Sequence, residues 1–145
     1  MTSPELASPD LSPLAASALI AAGGAVGAVT RYHLGRWVTD ALAPRGGDAF
    51  PWGTLSVNII GSLAMGGLIG WLARGGTSAQ AAETMRLLIG VGLLGGFTTF
   101  STFSADLVTM LHRGQMIDAL GYGAASLIAG MAAVVAGLII AQSVS

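Results

Sequence analysis

Apolar residues run in four long blocks along this chain, and the charges fall between them. The uncharged stretches are Leu14–Thr30, Pro51–Ala73, Leu87–Ala105 and Ala119–Ser145. A helix crossing a ~30 Å hydrocarbon core takes roughly 20 residues, and each stretch is about long enough. The connections are short and hold nearly all the charge: Arg36 to Asp48, Arg74 to Arg86, and His112 to Asp118. All five prolines lie at or beyond the ends of the blocks, and Pro13 and Pro51 stand where a helix start tolerates proline. The layout predicts helices at about 14–38, 52–73, 85–111 and 117–141, the third broken at its centre, at about 95–103. Residues 14–141 are thus expected to form one four-helix transmembrane domain. The stretch 142–145 reads as a C-terminal tail. Residues 1–13 contain Glu5 and Asp10 but no basic residue, so they lack the positive start of a signal peptide and read as a disordered N-terminal tail.

Composition sharpens this into an all-α integral membrane protein. Of the 145 residues 53% are hydrophobic and only 9% charged, against about 25% charged in soluble domains. Net charge is −1 and lysine is absent, so nothing supports nucleic-acid binding. Cysteine is absent, which excludes disulfides, thiolate metal sites and cysteine nucleophiles. The only histidines, His33 and His112, stand near span ends, and no HExxH, P-loop or GxSxG motif occurs, so no enzyme is expected. With four spans, Arg74 and Arg86 share one side; Arg36, Arg45 and Arg113 share the other, with Arg31 if it reaches the interface. That bias is weak by the positive-inside rule, as expected of a chain that inserts both ways round.

Small residues recur four apart at Gly23 and Gly27, Gly66 and Gly70, and Gly92 and Gly96. This spacing lets membrane helices approach backbone to backbone, and close packing alone accounts for most such pairs. The run Gly95-Gly96-Phe97-Thr98-Thr99-Phe100-Ser101-Thr102-Phe103-Ser104 differs from its surroundings. Paired glycines and β-branched threonines weaken a helix. Irregular backbone at membrane depth persists only if buried in protein or lining a wet cavity, and a broken helix near the midplane points to an ion or substrate site.

Several side chains are candidates for that site. Asn58 lies in the middle of the second block, where an amide needs partners: an interhelical hydrogen bond or an anion stripped of water. Ser101, Thr102 and Ser104, with Tyr122 and Ser126 in the fourth block, offer hydroxyl donors without a trapping charge. Any one serine more often bonds back to its own helix. Phe100 and Phe103 are three apart, hence on one helical face. Each suits packing, yet their positive ring edges also suit an anion. Arg31 and Asp106 directly follow uncharged runs and are either functional or snorkelling.

Taken together, these residues resemble the CrcB/Fluc family of fluoride channels. The match runs from Gly23-Gly24-Ala25-Val26-Gly27-Ala28-Val29-Thr30-Arg31-Tyr32 through Trp52-Gly53-Thr54 and Asn58 to Gly95–Ser104, Tyr122 and Ser126. The resemblance implies an antiparallel, dual-topology homodimer in the plasma (inner) membrane. It would hold two pores that export fluoride passively and lower its toxicity in the cytoplasm. The implied fluoride path comprises Asn58, Phe100, Phe103, Ser101, Thr102, Ser126, Tyr122 and Arg31. It also implies a structural sodium ion at the dimer centre, held by the Gly95 and Thr98 carbonyls of both subunits. The expected partners are therefore fluoride, sodium, the lipid bilayer and a second copy. Asp106 is a departure, because the family often has Glu three residues after the second phenylalanine. The rival is a small multidrug-type dual-topology transporter. It would need an embedded carboxylate, and Leu14–Thr30 contains none.

Overall fold

The computed structural model describes residues 11–42 and 50–144, and every described element is helical. The order is α1 (Pro13–Leu42), α2 (Trp52–Ala73), α3 (Ala79–Met85), a π-helical stretch (Arg86–Leu94), α4 (Gly95–Phe97), α5 (Phe100–His112) and α6 (Met116–Ser143). Four spans are long and apolar enough to cross a membrane: Pro13–Leu42, Trp52–Ala73, Ala79–His112 and Met116–Ser143. The third joins α3, the π stretch, α4 and α5.

Three boundaries differ from the sequence reading. First, α1 continues past residue 38 to Leu42. The Thr39 hydroxyl donates to the Gly35 carbonyl and Arg36 pairs with Asp40 one turn on, so polar residues prolong this helix instead of ending it. Second, the third span begins at Ala79, before residue 85. Ser78 caps it by accepting the Ala81 N–H at 3.3 Å, and Ala79-Gln80-Ala81-Ala82 are good helix formers despite their place in a charged connection. Third, α6 runs through Ser143, so Gln142 and Ser143 of the expected tail are helical. Most of the expected N-terminal tail, Arg45 and the rest of 43–49, and Ser145 lie outside the described residues.

The turn after α5 shows why a glycine is placed there. Gly114 has φ +75°, its N–H donates to the Leu111 carbonyl, and the Gln115 N–H reaches the Met110 carbonyl, both at 3.0 Å. This is a Schellman ending, which needs a left-handed residue. It folds α6 back along the bundle.

Two backbone-close crossings organise the spans. The most extensive is between α2 and α6, followed by α1 against the π stretch. A Cβ on Gly66 would collide with the Val134 carbonyl, and one on Gly137 with the Leu63 carbonyl. A Cβ on Gly27 would strike the Leu93 carbonyl, and one on Gly96 would come within 2.6 Å of the Gly24 carbonyl. Only glycine allows these approaches. At one end of the bundle Leu55, Met110, Ala119 and Tyr122 are buried together, with Phe50, Ile59, Phe103 and Leu107 packed around them. Large apolar side chains such as Ile117, Met131 and Ile128 point outward, as lipid-facing residues do.

Candidate functional site

The helical backbone of the third span stops after Phe97 and resumes at Phe100. Thr98 (φ −80°, ψ 159°) and Thr99 (φ −150°, ψ 114°) are both extended. The interruption is narrower than the expected window of 95–103, because Gly95–Phe97 and Phe100–His112 are helical. Hydroxyls make the restart possible. Thr99 Oγ1 accepts the Thr102 N–H at 3.1 Å as the N-cap of α5, and it donates to Thr102 Oγ1 at 3.0 Å. Ser101 Oγ lies 3.3 Å from the same oxygen. The Thr98 hydroxyl turns back to the Leu94 carbonyl.

The broken ladder is repaired from other spans. In a continuous helix the Thr99 N–H would go to the Gly95 carbonyl. Here it donates to Asn58 Oδ1 at 2.9 Å, while Asn58 Nδ2 donates to the Thr99 carbonyl at 3.2 Å. Likewise the Thr98 carbonyl has lost its helical donor, Thr102, and accepts Arg31 Nη1 at 3.3 Å. Each group is thereby satisfied at a depth where an unpaired one would cost several kcal/mol.

Two clefts flank Thr99. The first, about 330 Å³, is lined by Asn58, Ser62, Thr98, Thr99, Phe100, Phe103 and Ser126 among others, and none of its lining residues is charged. Phe100 and Phe103 stand with ring centroids 5.9 Å apart at its edge. Ser126 Oγ is buried beside the Tyr122 phenol and closes no well-formed hydrogen bond among the described residues. The second cleft, about 350 Å³, holds Arg31, Tyr32, Thr39, Thr54, Thr99 and Thr102.

The candidate residues therefore fall into two groups, not one line. Asn58, Phe100, Phe103 and Ser126 share the first cleft; Arg31 and Thr102 share the second. Ser101 belongs to the Thr99 hydroxyl cluster. Tyr122 is fully buried behind the first cleft, against Phe103 at 5.2 Å, and its hydroxyl donates to Asp106 Oδ2 at 3.3 Å. Ser104 bonds back to the Phe100 carbonyl, the plain helical role. Gly95 lines neither cleft; Thr98 lines the first. Thr99 and Thr54 were not singled out as site residues from sequence. A threonine immediately before a resumed helix, with a second hydroxyl three residues on, is a readable cap signal for Thr99. Thr54 carried no comparable signal. No cluster of three histidine, aspartate or glutamate side chains suited to a metal occurs among the described residues.

Comparison with known proteins adds to this geometry. A family model described as "CrcB-like protein, Camphor Resistance (CrcB)" matches residues 18–138. A protein of Novosphingobium aromaticivorans named "Fluoride-specific ion channel FluC" is 46% identical over 132 residues, covering 91% of this chain and 100% of that protein. Its namesake in Sphingopyxis alaskensis is 52% identical over 118 residues, covering 81% and 88%. That of Caulobacter vibrioides is 46% identical over 127 residues, covering 87% and 94%.

Proposed function

This chain belongs to the CrcB-like family, and from that premise we propose that it is a fluoride-specific ion channel, passing fluoride down its gradient out of the cell. Relatives that match nearly end to end carry that name. An ion channel performs no bond chemistry, in keeping with the lack of an enzymatic motif.

One observation carries the mechanism. The first cleft gathers the Asn58 amide, the Ser126 hydroxyl and the Phe100 and Phe103 rings, with no charged side chain in its lining. Fluoride holds its water tightly, so a conduit must offer replacement donors. It must also let the ion leave, which a fixed cation would hinder. An amide has two N–H donors, and one remains after Asn58 bonds the Thr99 carbonyl. Ring edges add weak positive charge without a formal cation. Arg31 stands in the second cleft, where it draws anions toward the path without sitting in it. Thr102 adds a hydroxyl to the second cleft beside Arg31, Ser101 supports the Thr99 cluster, and buried Tyr122 backs the Phe103 ring.

The assembly is an antiparallel homodimer with both orientations in the inner membrane. The first cleft is a groove along the surface of one chain, and Phe100 at its edge is 80% exposed. A second copy would close it. The same pairing would bring two interrupted third spans together. Their Gly95 and Thr98 carbonyls, freed from regular helical bonding, fit a sodium ion, since oxygens at half-helix ends suit such cations. The Thr98 carbonyl keeps a second lone pair beside its Arg31 bond. When bound, that ion would tie the subunits together and would carry no current. A multidrug-type exchanger is disfavoured, because no carboxylate lines either cleft.

The deciding experiment is efflux from liposomes containing purified protein and loaded with fluoride and chloride salts. Fluoride should leave and chloride stay. Equal loss of both, or loss that requires a proton gradient, overturns the proposal.

A further inference from the structure

Resting on the channel reading but testable apart from it, we infer that Asn58 is a positioning residue: its carboxamide splices the interrupted third span, and the flux depends on that splice. Asn58 makes both of its hydrogen bonds to a single backbone residue. Thr99 N donates to Oδ1 at 2.9 Å, and Nδ2 donates to Thr99 O at 3.2 Å. The polarity of the two backbone groups fixes which way the amide faces, since the N–H needs the oxygen and the carbonyl needs the nitrogen. The target is well chosen. Thr99 is 8% exposed, has extended dihedrals and caps α5. Holding its N–H and carbonyl together sets where α5 begins, and with it the positions of Phe100, Ser101 and Phe103.

The splice has a second consequence. With one N–H bound to Thr99, the remaining N–H of Asn58 is fixed in direction, and Asn58 lines the first cleft. A freely rotating amide would have to be ordered by each passing ion. Arg31 acts alongside by holding the neighbouring Thr98 carbonyl. Two spans thus grip adjacent residues of a third.

An aspartic acid separates the splice from the spare donor. A neutral carboxyl has the same two-sided shape: its carbonyl accepts the Thr99 N–H, and its O–H donates to the Thr99 carbonyl. A carboxylate has no donor and sets oxygen against oxygen. Neither form offers the spare N–H.

The test uses full-length protein in lipid with two readouts. Thr98-Thr99 is the one Thr-Thr pair in the chain, so threonine labelled with ¹³C and ¹⁵N gives a single carbonyl-to-amide signal for Thr99. Hydrogen exchange at that amide should be about tenfold faster or more in Asn58→Leu than in the parent. Asn58→Asp should pass no fluoride at neutral pH and regain part of the flux as acid protonates its carboxyl, the shortfall being the share of the missing N–H. Parent protein and protein-free vesicles are measured at each pH, and Arg31, which holds the neighbouring Thr98 carbonyl, is left in place. Unchanged Thr99 exchange in Asn58→Leu overturns the splice. So does an Asn58→Asp protein that stays wholly silent when its carboxyl is neutral, because a restored splice should bring back part of the flux even without the spare N–H. A parent that moves no fluoride sinks the channel reading instead, and the exchange measurement still decides the splice.

Discussion

Phe100 and Phe103 present two rings to the same groove from adjacent turns, one of them almost bare. Isoleucine keeps most of the bulk and removes the polarised ring edge, a contribution of about 0.5–1.5 kcal/mol for aromatic contacts. Phe100→Ile and Phe103→Ile are each expected to cut fluoride efflux by about tenfold while the protein still assembles; near-parental efflux would return both rings to packing. Tyr122 tests the opposite kind of position, because it is fully buried and its hydroxyl reaches Asp106. Tyr122→Phe keeps the contact with Phe103 and should lower stability by about 1 kcal/mol, read as a shifted unfolding midpoint in detergent titration. An amide in the middle of an apolar block was legible from the sequence as a group in need of partners. Its partner was not, because Thr99 is 41 residues away and nothing local links the two.

Helix contacts separate glycines that are indispensable from those that are not. Gly66 sits against the Val134 carbonyl, whereas a Cβ on Gly121 would meet nothing within 4 Å. Gly66→Leu must push α6 off α2, and overpacking of this kind costs roughly 1–3 kcal/mol or more, so folded yield should fall sharply. Gly121→Ala should be neutral or stabilising by up to about 1 kcal/mol, since alanine favours a helix over glycine. Equal behaviour of the two variants in thermal unfolding would contradict the crossing. The four spans were legible because their apolar blocks exceed what any connection would carry. The early start of the third span at Ala79 was not, since Glu83 and Arg86 mark that segment as polar while its alanines and the Ser78 cap make it helical. The spacing Gly66 to Gly70 announced a close crossing but not its partner; both glycines meet α6.

Assembly gives the remaining predictions. If two copies pair in opposite directions, a tag placed after Ser145 should be found on both faces of the membrane, and a tag confined to one face overturns the antiparallel arrangement. If the two interruptions meet on a twofold axis, anomalous scattering from crystals grown with a heavier monovalent cation should show density on that axis beside the Gly95 and Thr98 carbonyls. A water molecule there, donating to those oxygens, would remove the cation and leave the fluoride path intact. Neither arrangement is legible from local chemistry alone. Charge bias was too weak to assign a direction, and carbonyl ligands leave no side-chain signature in a sequence.

The interruption at Thr98 and Thr99 also has an electrostatic consequence. Peptide dipoles add along a helix to about half a positive charge at its N-terminus and half a negative charge at its C-terminus. Cutting the third span at mid-depth brings two such ends face to face: the C-terminal end at Phe97 and the N-terminal end at Phe100. A layer almost free of formal charge thus acquires a weakly negative pole and a weakly positive pole only two residues apart. The first favours a cation resting among carbonyls, and the second favours an anion in transit. Because each is only a fraction of a charge, the positive pole can lower the barrier for an anion without binding it as an arginine would.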